Sequence, residues 1–250
     1  MPKIAEIAEF IESVAPAELA EEWDNSGTLV DCGGEVRGIL CALDITNAVV
    51  REAETGNCQL IVAHHPVIFH PLRKIGHGDI VYRLVRKHIS AICAHTNLDA
   101  ATGGVNDILS AIFGVLEPEP FARVGRVGVL RQPTSATKLA ESCAERFSAH
   151  VRYVDAGKPV HKLAIMGGSG GGLLEEALEA GADCILTGEA DHHDAVDARE
   201  AGVSLIVAGH YSTEFPVVPV MADRLIKRFP DVTVLISRKG KDPFKYADPK

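Results

Sequence analysis

Apolar residues fall along this chain in short, unbroken blocks separated by stretches of helical period. Blocks rich in Val, Ile, Leu, Ala and Cys occupy 36–43, 59–63, 90–94, 126–130, 162–166, 184–187, 204–208 and 233–236. Their lack of alternation is the pattern of strands buried on both faces. Between most of them, apolar positions recur at helical spacing over 47–55, 80–88, 105–113, 137–147, 173–180, 190–200 and 219–229. Strands alternating with helices predict an α/β fold with mixed, largely parallel sheets and right-handed crossovers.

Local punctuation agrees. Thr46 and Ser135 stand where N-caps belong, and Gly56, Gly114, Gly181 and Gly202 follow predicted helices as C-caps. The Glu-Pro-Glu-Pro stretch at 117–120 breaks both periods, since Pro118 and Pro120 can neither continue a helix nor donate to a sheet. It marks the expected boundary between an N-terminal α/β domain, 1–120, and a C-terminal α/β domain, 121–250. The run Leu60-Ile61-Val62-Ala63-His64-His65 is echoed by Leu205-Ile206-Val207-Ala208-Gly209-His210. The echo predicts that the two domains are related.

Composition narrows the function classes. With 46% hydrophobic and 24% charged residues, the 250-residue chain is that of a globular protein. At this size it needs neither metal nor disulfide to fold. A formal charge of −9 makes nucleic acid and anionic membranes unfavourable partners. No apolar run approaches the roughly 18 residues of a membrane span. The start, MPKIAEIAEFIESV, lacks the basic-then-apolar pattern of a secretory signal. The six Cys form no C-x-x-C pair, and four of them lie in or beside predicted strands. They read as reduced, structural thiols of a cytoplasmic protein.

In open α/β sheets, ligands bind beyond the carboxyl ends of the strands. His64 and His65 follow the block at 59–63, and His95 with Asp99 follows 90–94. Glu189, His192 and His193 follow 184–187, and His210 with Glu214 follows 204–208. Imidazole and carboxylate together suit Zn, Fe or Mn. Adjacent His64 and His65 diverge in extended chain, so each can serve a different ion. Asp99 is the natural bridging carboxylate, and His210 and Glu214 share one face if their segment is helical. The set predicts a two-metal site at strand C-terminal ends, of the kind that activates water. The templates of zinc proteases, P-loop enzymes, α/β-hydrolases and zinc deaminases are missing.

Two further segments stand out. The run Gly167–Gly172 joins a predicted strand to a predicted helix. Gly168, Ser169 and Gly170 are candidate substrate-binding residues there, through an anion cradle of backbone amides, and a plain turn is the alternative. Trp23-Asp24-Asn25-Ser26-Gly27 reads either as a capped turn with Trp23 in the core or as a pocket wall carrying Asp24 or Asn25.

At these residues the chain resembles the dinuclear-metal-centre proteins related to yeast NGG-interacting factor, often called GTP cyclohydrolase I type 2 homologues. The elements that carry the resemblance are Trp23–Gly27, His64-His65-Pro66, His95-Thr96-Asn97-Leu98-Asp99, Thr187-Gly188-Glu189 with His192-His193, and Gly209-His210-Tyr211-Ser212-Thr213-Glu214. They follow the family's order from 23 to 214. Ser26 and Thr28-Leu29 depart from the family's usual continuation of the Asp-Asn pair. The resemblance implies two divalent ions per chain, held by His64, His65, Asp99, His210 and Glu214, with Asp99 as the bridge. It implies a toroidal homohexamer and a metal-dependent hydrolase acting on a nucleotide or other phosphorylated small molecule. In that reading Glu189 and His193 are the catalytic candidates for moving protons or orienting ligands. The competing reading is a non-catalytic metal-handling or regulatory protein with the same ligands.

Overall fold

The computed structural model describes residues 1–247. In chain order the elements are α1 (Ile4–Val14), β1 (Gly27–Val30), β2 (Gly38–Ala42), α2 (Asn47–Thr55), β3 (Leu60–Ala63), α3 (Ile80–Arg86), β4 (Ser90–Cys93), α4 (Thr96–Ala100) and α5 (Val105–Phe113). They continue with β5 (Val115–Phe121), β6 (Gly125–Thr134), α6 (Ala136–Phe147), β7 (Arg152–Val154), β8 (Val160–Ser169), α7 (Leu174–Glu179) and β9 (Cys184–Glu189). The last are α8 (His192–Glu200), β10 (Ser204–Val207), α9 (His210–Glu214), α10 (Val217–Arg228) and β11 (Thr233–Ile236). Thr46 and Ser135 cap α2 and α6 by accepting from the amides of Val49 and Lys138.

The chain divides into two compact units, Met1–Thr102 with Val217–Lys241, and Gly103–Pro216 with the described residues from Asp242 onward. The first unit has a five-stranded sheet in the order β1-β4-β3-β2-β11. β4, β3, β2 and β11 are parallel, and β1 closes one edge antiparallel to β4. Every residue of β2, β3 and β4 is buried, as the unbroken apolar blocks require. Leu40 and Ile61 of this sheet pack with Val49 of α2 and Leu84 of α3. Each such side chain contributes about 1.5–3 kcal/mol by leaving water.

The second unit has a six-stranded sheet, β5-β6-β8-β9-β10-β7. Its centre, β8, β9 and β10, is parallel, while β5, β6 and β7 add antiparallel pairings. Small residues, Ala177 of α7 and Ala198 of α8, let those helices lie close on Ala164, Ile185 and Leu205.

The units differ from consecutive halves 1–120 and 121–250. Glu117–Pro120 lies inside β5, not between domains. β5 is an edge strand with one ladder and a register irregularity between Leu116 and Glu119, the setting in which a sheet tolerates proline. α10 and β11 return to the first unit, where β11 pairs with β2 in parallel.

The expected kinship of the two units holds at the level of topology. The series α1-β1-β2-α2-β3-α3-β4-α4 is matched element for element by α6-β7-β8-α7-β9-α8-β10-α9. In both, three parallel strands run in sequence order and the strand preceding them pairs antiparallel with the third. The match moves the sequence echo by one strand. The echo aligned β3 with β10, whereas topology makes β4 the counterpart of β10. The four-residue run LIVA recurs because buried strands draw on few residue types, not because those strands correspond.

Among the described residues no helix is long and apolar enough to cross a membrane.

Candidate metal centre

In the first unit, three parallel strands deliver polar side chains at their carboxyl ends. β2 leads through Leu43 to Asp44, β3 to His64 and His65, and β4 through Ala94 to His95. The three imidazole rings cluster with centroids 5.0 Å apart for His64–His65, 5.3 Å for His64–His95 and 5.5 Å for His65–His95. One donor atom from each lies within 4.8 Å of the other two.

Each ring is anchored through Nδ1 to an oxygen: His64 to the carbonyl of Ala94 at 2.8 Å, His65 to Asp44 Oδ1 at 2.8 Å, and His95 to Asp24 Oδ1 at 2.7 Å. A carbonyl or carboxylate oxygen accepts, so Nδ1 holds a proton, and Nε2 is the nitrogen that a metal would take. Carboxylate or carbonyl behind Nδ1 is the arrangement that orients metal-binding histidines. Asp99, on α4, brings Oδ1 to 3.6 Å from His64 Nε2. That is too long for a hydrogen bond. It is close to the separation of two ligands on one tetrahedral ion, about 3.4 Å for bonds of about 2.1 Å. The donor set therefore fits a divalent transition metal.

Asp24 is the most enclosed carboxylate of this group, with none of its side chain exposed. Oδ1 accepts from the Asn25 amide and from His95. Oδ2 accepts from the amide and hydroxyl of Thr96 at 3.1 and 2.6 Å and from the Ser26 hydroxyl at 2.9 Å. Burial alone would raise its pKa, but the hydrogen bonds from His95 and Thr96 and the charge of His95 outweigh it, holding the carboxyl well below the ordinary range. The segment is thus part of the site, as its pocket-wall reading had it. The alternative of Trp23 in the core is corrected, because its side chain is 59% exposed and leans on Phe69 and His95 at ring distances of 5.8 and 6.1 Å. Asp24 takes the inward position at that turn, because its many donors leave no room for an indole.

In the second unit, β10 leads through Ala208 to Gly209, whose φ of +93° turns the chain into α9. One turn of helix then brings His210 Nε2 to 3.0 Å from Glu214 Oε2, the shared face expected from their spacing. Glu189, at the end of β9, places Oε1 3.3 Å from His210 Nδ1. Glu214 is 4% exposed. His193 lies exposed in the first turn of α8 beside His192, with ring centroids 5.7 Å apart.

Three amides of the glycine run are taken up within the protein. β8 continues to Ser169, and the amides of Gly167, Gly168 and Gly170 donate to Asn106 Oδ1, Thr213 Oγ1 and Thr187 Oγ1. The amides of Gly168 and Gly170, two of the three candidate substrate-binding residues, are thus directed at protein side chains rather than open to an anion. What the glycines supply is space. A Cβ on Gly168, whose φ is +65°, would strike the Glu214 carboxylate, and one on Gly188 would meet the Thr213 hydroxyl at 2.7 Å.

Asp44 is the site residue that sequence reasoning missed. Its signal is the same strand-exit position, two residues beyond β2. The thiols take no part. Burial pushes Cys41 and Cys143 up to about 12 and Cys58 to about 11, and raises Cys93 and Cys184 further still.

Comparison with known proteins agrees along the length of the chain. A protein from Clostridium acetobutylicum named GTP cyclohydrolase 1 type 2 homolog is 34% identical over 264 residues, covering 98% of each chain. NIF3-like protein 1 of Drosophila melanogaster is 30% identical, over 96% of this chain and 88% of that one. The crystal structure of a Staphylococcus aureus hypothetical protein superposes with a TM-score of 0.88 at 29% identity, over 98% of this chain and 99% of that one. The model of the family described as Duf34/NIF3 (NGG1p interacting factor 3) matches residues 2–243, and the chain belongs to that family.

Proposed function

We propose that this chain is a divalent-metal protein that works as a metal-dependent hydrolase on a small nucleotide or phosphorylated substrate. Its ligands are His64, His65 and Asp99 in the first unit and His210 and Glu214 in the second, for two ions per chain. The observation that carries the reading is the first unit's trio of imidazoles, each with Nδ1 held by an oxygen. Structure without that purpose has no need of three converging histidines, each oriented by a separate acceptor. Ions of Zn, Fe or Mn in such a site supply Lewis acidity and lower the pKa of water.

The chain's own residues prepare the site. Asp44 and the Ala94 carbonyl fix the tautomers of His65 and His64. Glu189 stands behind His210 and acts as a positioning residue, the part its 3.3 Å contact supports. Several relatives are named GTP cyclohydrolase 1 type 2 homolog, which supports a purine nucleotide as the first substrate to try. Assembly as a homohexamer rests on the family resemblance, and a cytoplasmic location on six cysteines that are all free thiols.

The test is elemental analysis of protein purified without chelator or affinity tag. About two ions per chain in the wild type, reduced in Asp99→Ala and unchanged in Cys93→Ala, supports the reading. Metal-free protein that takes up no Zn, Mn or Fe rejects it. Release of product from a panel of nucleotides and phosphoesters by the loaded wild type, abolished in Asp99→Ala, separates the hydrolase from a metal-handling protein.

A further inference from the structure

The two units repeat one another, and the repeat assigns a residue that the five-ligand set leaves out. β4 and β10 occupy the same place, third of three parallel strands and partner of the antiparallel edge. Their registers agree as well. Ser90 faces Leu60 across β4–β3, and Ser204 faces Cys184 across β10–β9. From those serines onward, Ser-Ala-Ile-Cys-Ala-His95 runs alongside Ser-Leu-Ile-Val-Ala-Gly-His210, with Gly209 the one insertion. Each histidine stands at the start of a five-residue helix, His95 as the N-cap of α4 and His210, displaced by the inserted Gly209, as the first residue of α9, and each is followed four residues on by a buried carboxylate, Asp99 or Glu214. By the same register, His65 stands where Glu189 stands, five residues beyond Leu60 and Cys184 respectively.

We propose that His95 is itself a metal ligand, the first unit's counterpart of His210, and that with His64 and His65 it forms a three-imidazole site. This rests on the metal reading above and extends it. The details of the ring support it independently of the repeat. Asp24 takes Nδ1 at 2.7 Å, as Glu189 approaches His210 Nδ1 at 3.3 Å. With Nδ1 on Asp24, the donor atom that remains is Nε2, and the ring stands 5.3 and 5.5 Å, centroid to centroid, from those of His64 and His65, with one donor atom of each of the three within 4.8 Å of the others. Asp24 spends its other oxygen on the amide and hydroxyl of Thr96 and on Ser26, so the ring is held on a fixed support rather than a mobile side chain. Three neutral imidazoles suit a borderline ion such as Zn2+ or Co2+.

The experiment uses full-length, metal-free protein and Co2+ as the probe, titrated calorimetrically and by the visible absorption of the bound ion. His95→Ala should weaken one Co2+ by more than about 100-fold, beyond the 10–100-fold that loss of a residue behind the ligands costs, and His210→Ala should also weaken binding. Visible bands in His95→Ala should shift, because one nitrogen donor is lost. Circular dichroism checks that the variant is folded. Should it not be, the Co2+-loaded wild type supplies the answer: its paramagnetically shifted, exchangeable imidazole N–H signals should include one that shifts in Asp24→Asn, and a set of such signals in which none moves overturns the assignment. Equal Co2+ affinity and an unchanged spectrum in folded His95→Ala overturn the assignment of His95 while leaving the five-ligand reading intact. A wild type that binds no Co2+ overturns both.

Discussion

Removing the Asp24 carboxylate is the sharpest perturbation the structure offers. Asp24→Ala strips the acceptor from the amides of Asn25 and Thr96, from the Thr96 hydroxyl and from His95 Nδ1. The Ser26 hydroxyl is less affected, because Asn97 Oδ1 stands 3.0 Å away as an alternative acceptor. A buried donor left without its acceptor costs about 1–3 kcal/mol, and breaking a buried ion pair by deleting one member costs about 3–5 kcal/mol. The His95 side chain keeps 14% exposure, so water reaches part of the gap and the deletions do not simply add. The expected loss is therefore about 3–5 kcal/mol, not the sum over four donors. Equilibrium urea unfolding of metal-free protein measures it as a lowered midpoint at unchanged slope. The sign of the pH dependence follows from the depressed carboxyl. Its stabilisation is fully present above the unfolded-state pKa of about 3.9 and is lost as pH falls through the lower folded value. The gap between wild type and Asp24→Ala should hold from pH 7 to about 5 and close progressively below about 4. A loss under about 1 kcal/mol at pH 7, or a gap that widens with acid, would refute the account of Asp24 as the buried anchor.

Two more outcomes follow from local geometry and chemistry. Gly168→Ala should destabilise the protein by about 1–3 kcal/mol through overpacking and should lower metal content, because its Cβ collides with Glu214 and comes within 3.4 Å of His210 Cε1; thermal melts and elemental analysis read both effects. A native-state thiol titration at pH 8 should find Cys41, Cys58, Cys93, Cys143 and Cys184 slow to react, since burial raises each thiol, and Cys32, half-buried and less enclosed, the fastest; rapid loss of several thiols without unfolding would contradict that.

What was legible in the chain follows from range. Buried parallel strands are written as unbroken apolar blocks, and helices such as Asn47–Thr55 and Val105–Phe113 carry their period, caps and stops within a few residues. Strand exits in an α/β fold are where ligands bind, so His64, His65, Asp99, His210 and Glu214 could be chosen without coordinates. Elements with little local signal were not legible. β1 holds one buried residue in four, and β7 is three residues on an edge. β5 carries two prolines that read as a break, and only its single-ladder position makes them tolerable.

Tertiary structure alone decided the rest, because it depends on residues far apart in sequence. Asp24 and His95 are 71 residues apart, and Asp44 and His65 are 21 apart, so neither pairing has a spacing to recognise. The return of α10 and β11 to the first sheet is a matter of which strand edge remained open, and no local pattern records it. The same holds for the internal repeat. Its true register, β4 on β10, is nearly silent in residue identity and plain in hydrogen-bonded order, because buried strands share a small alphabet while ladder geometry is specific. The sequence by itself determined the fold class and the strand exits that carry the chemistry. The structure decided which oxygen holds which imidazole, and so which nitrogen is left to bind.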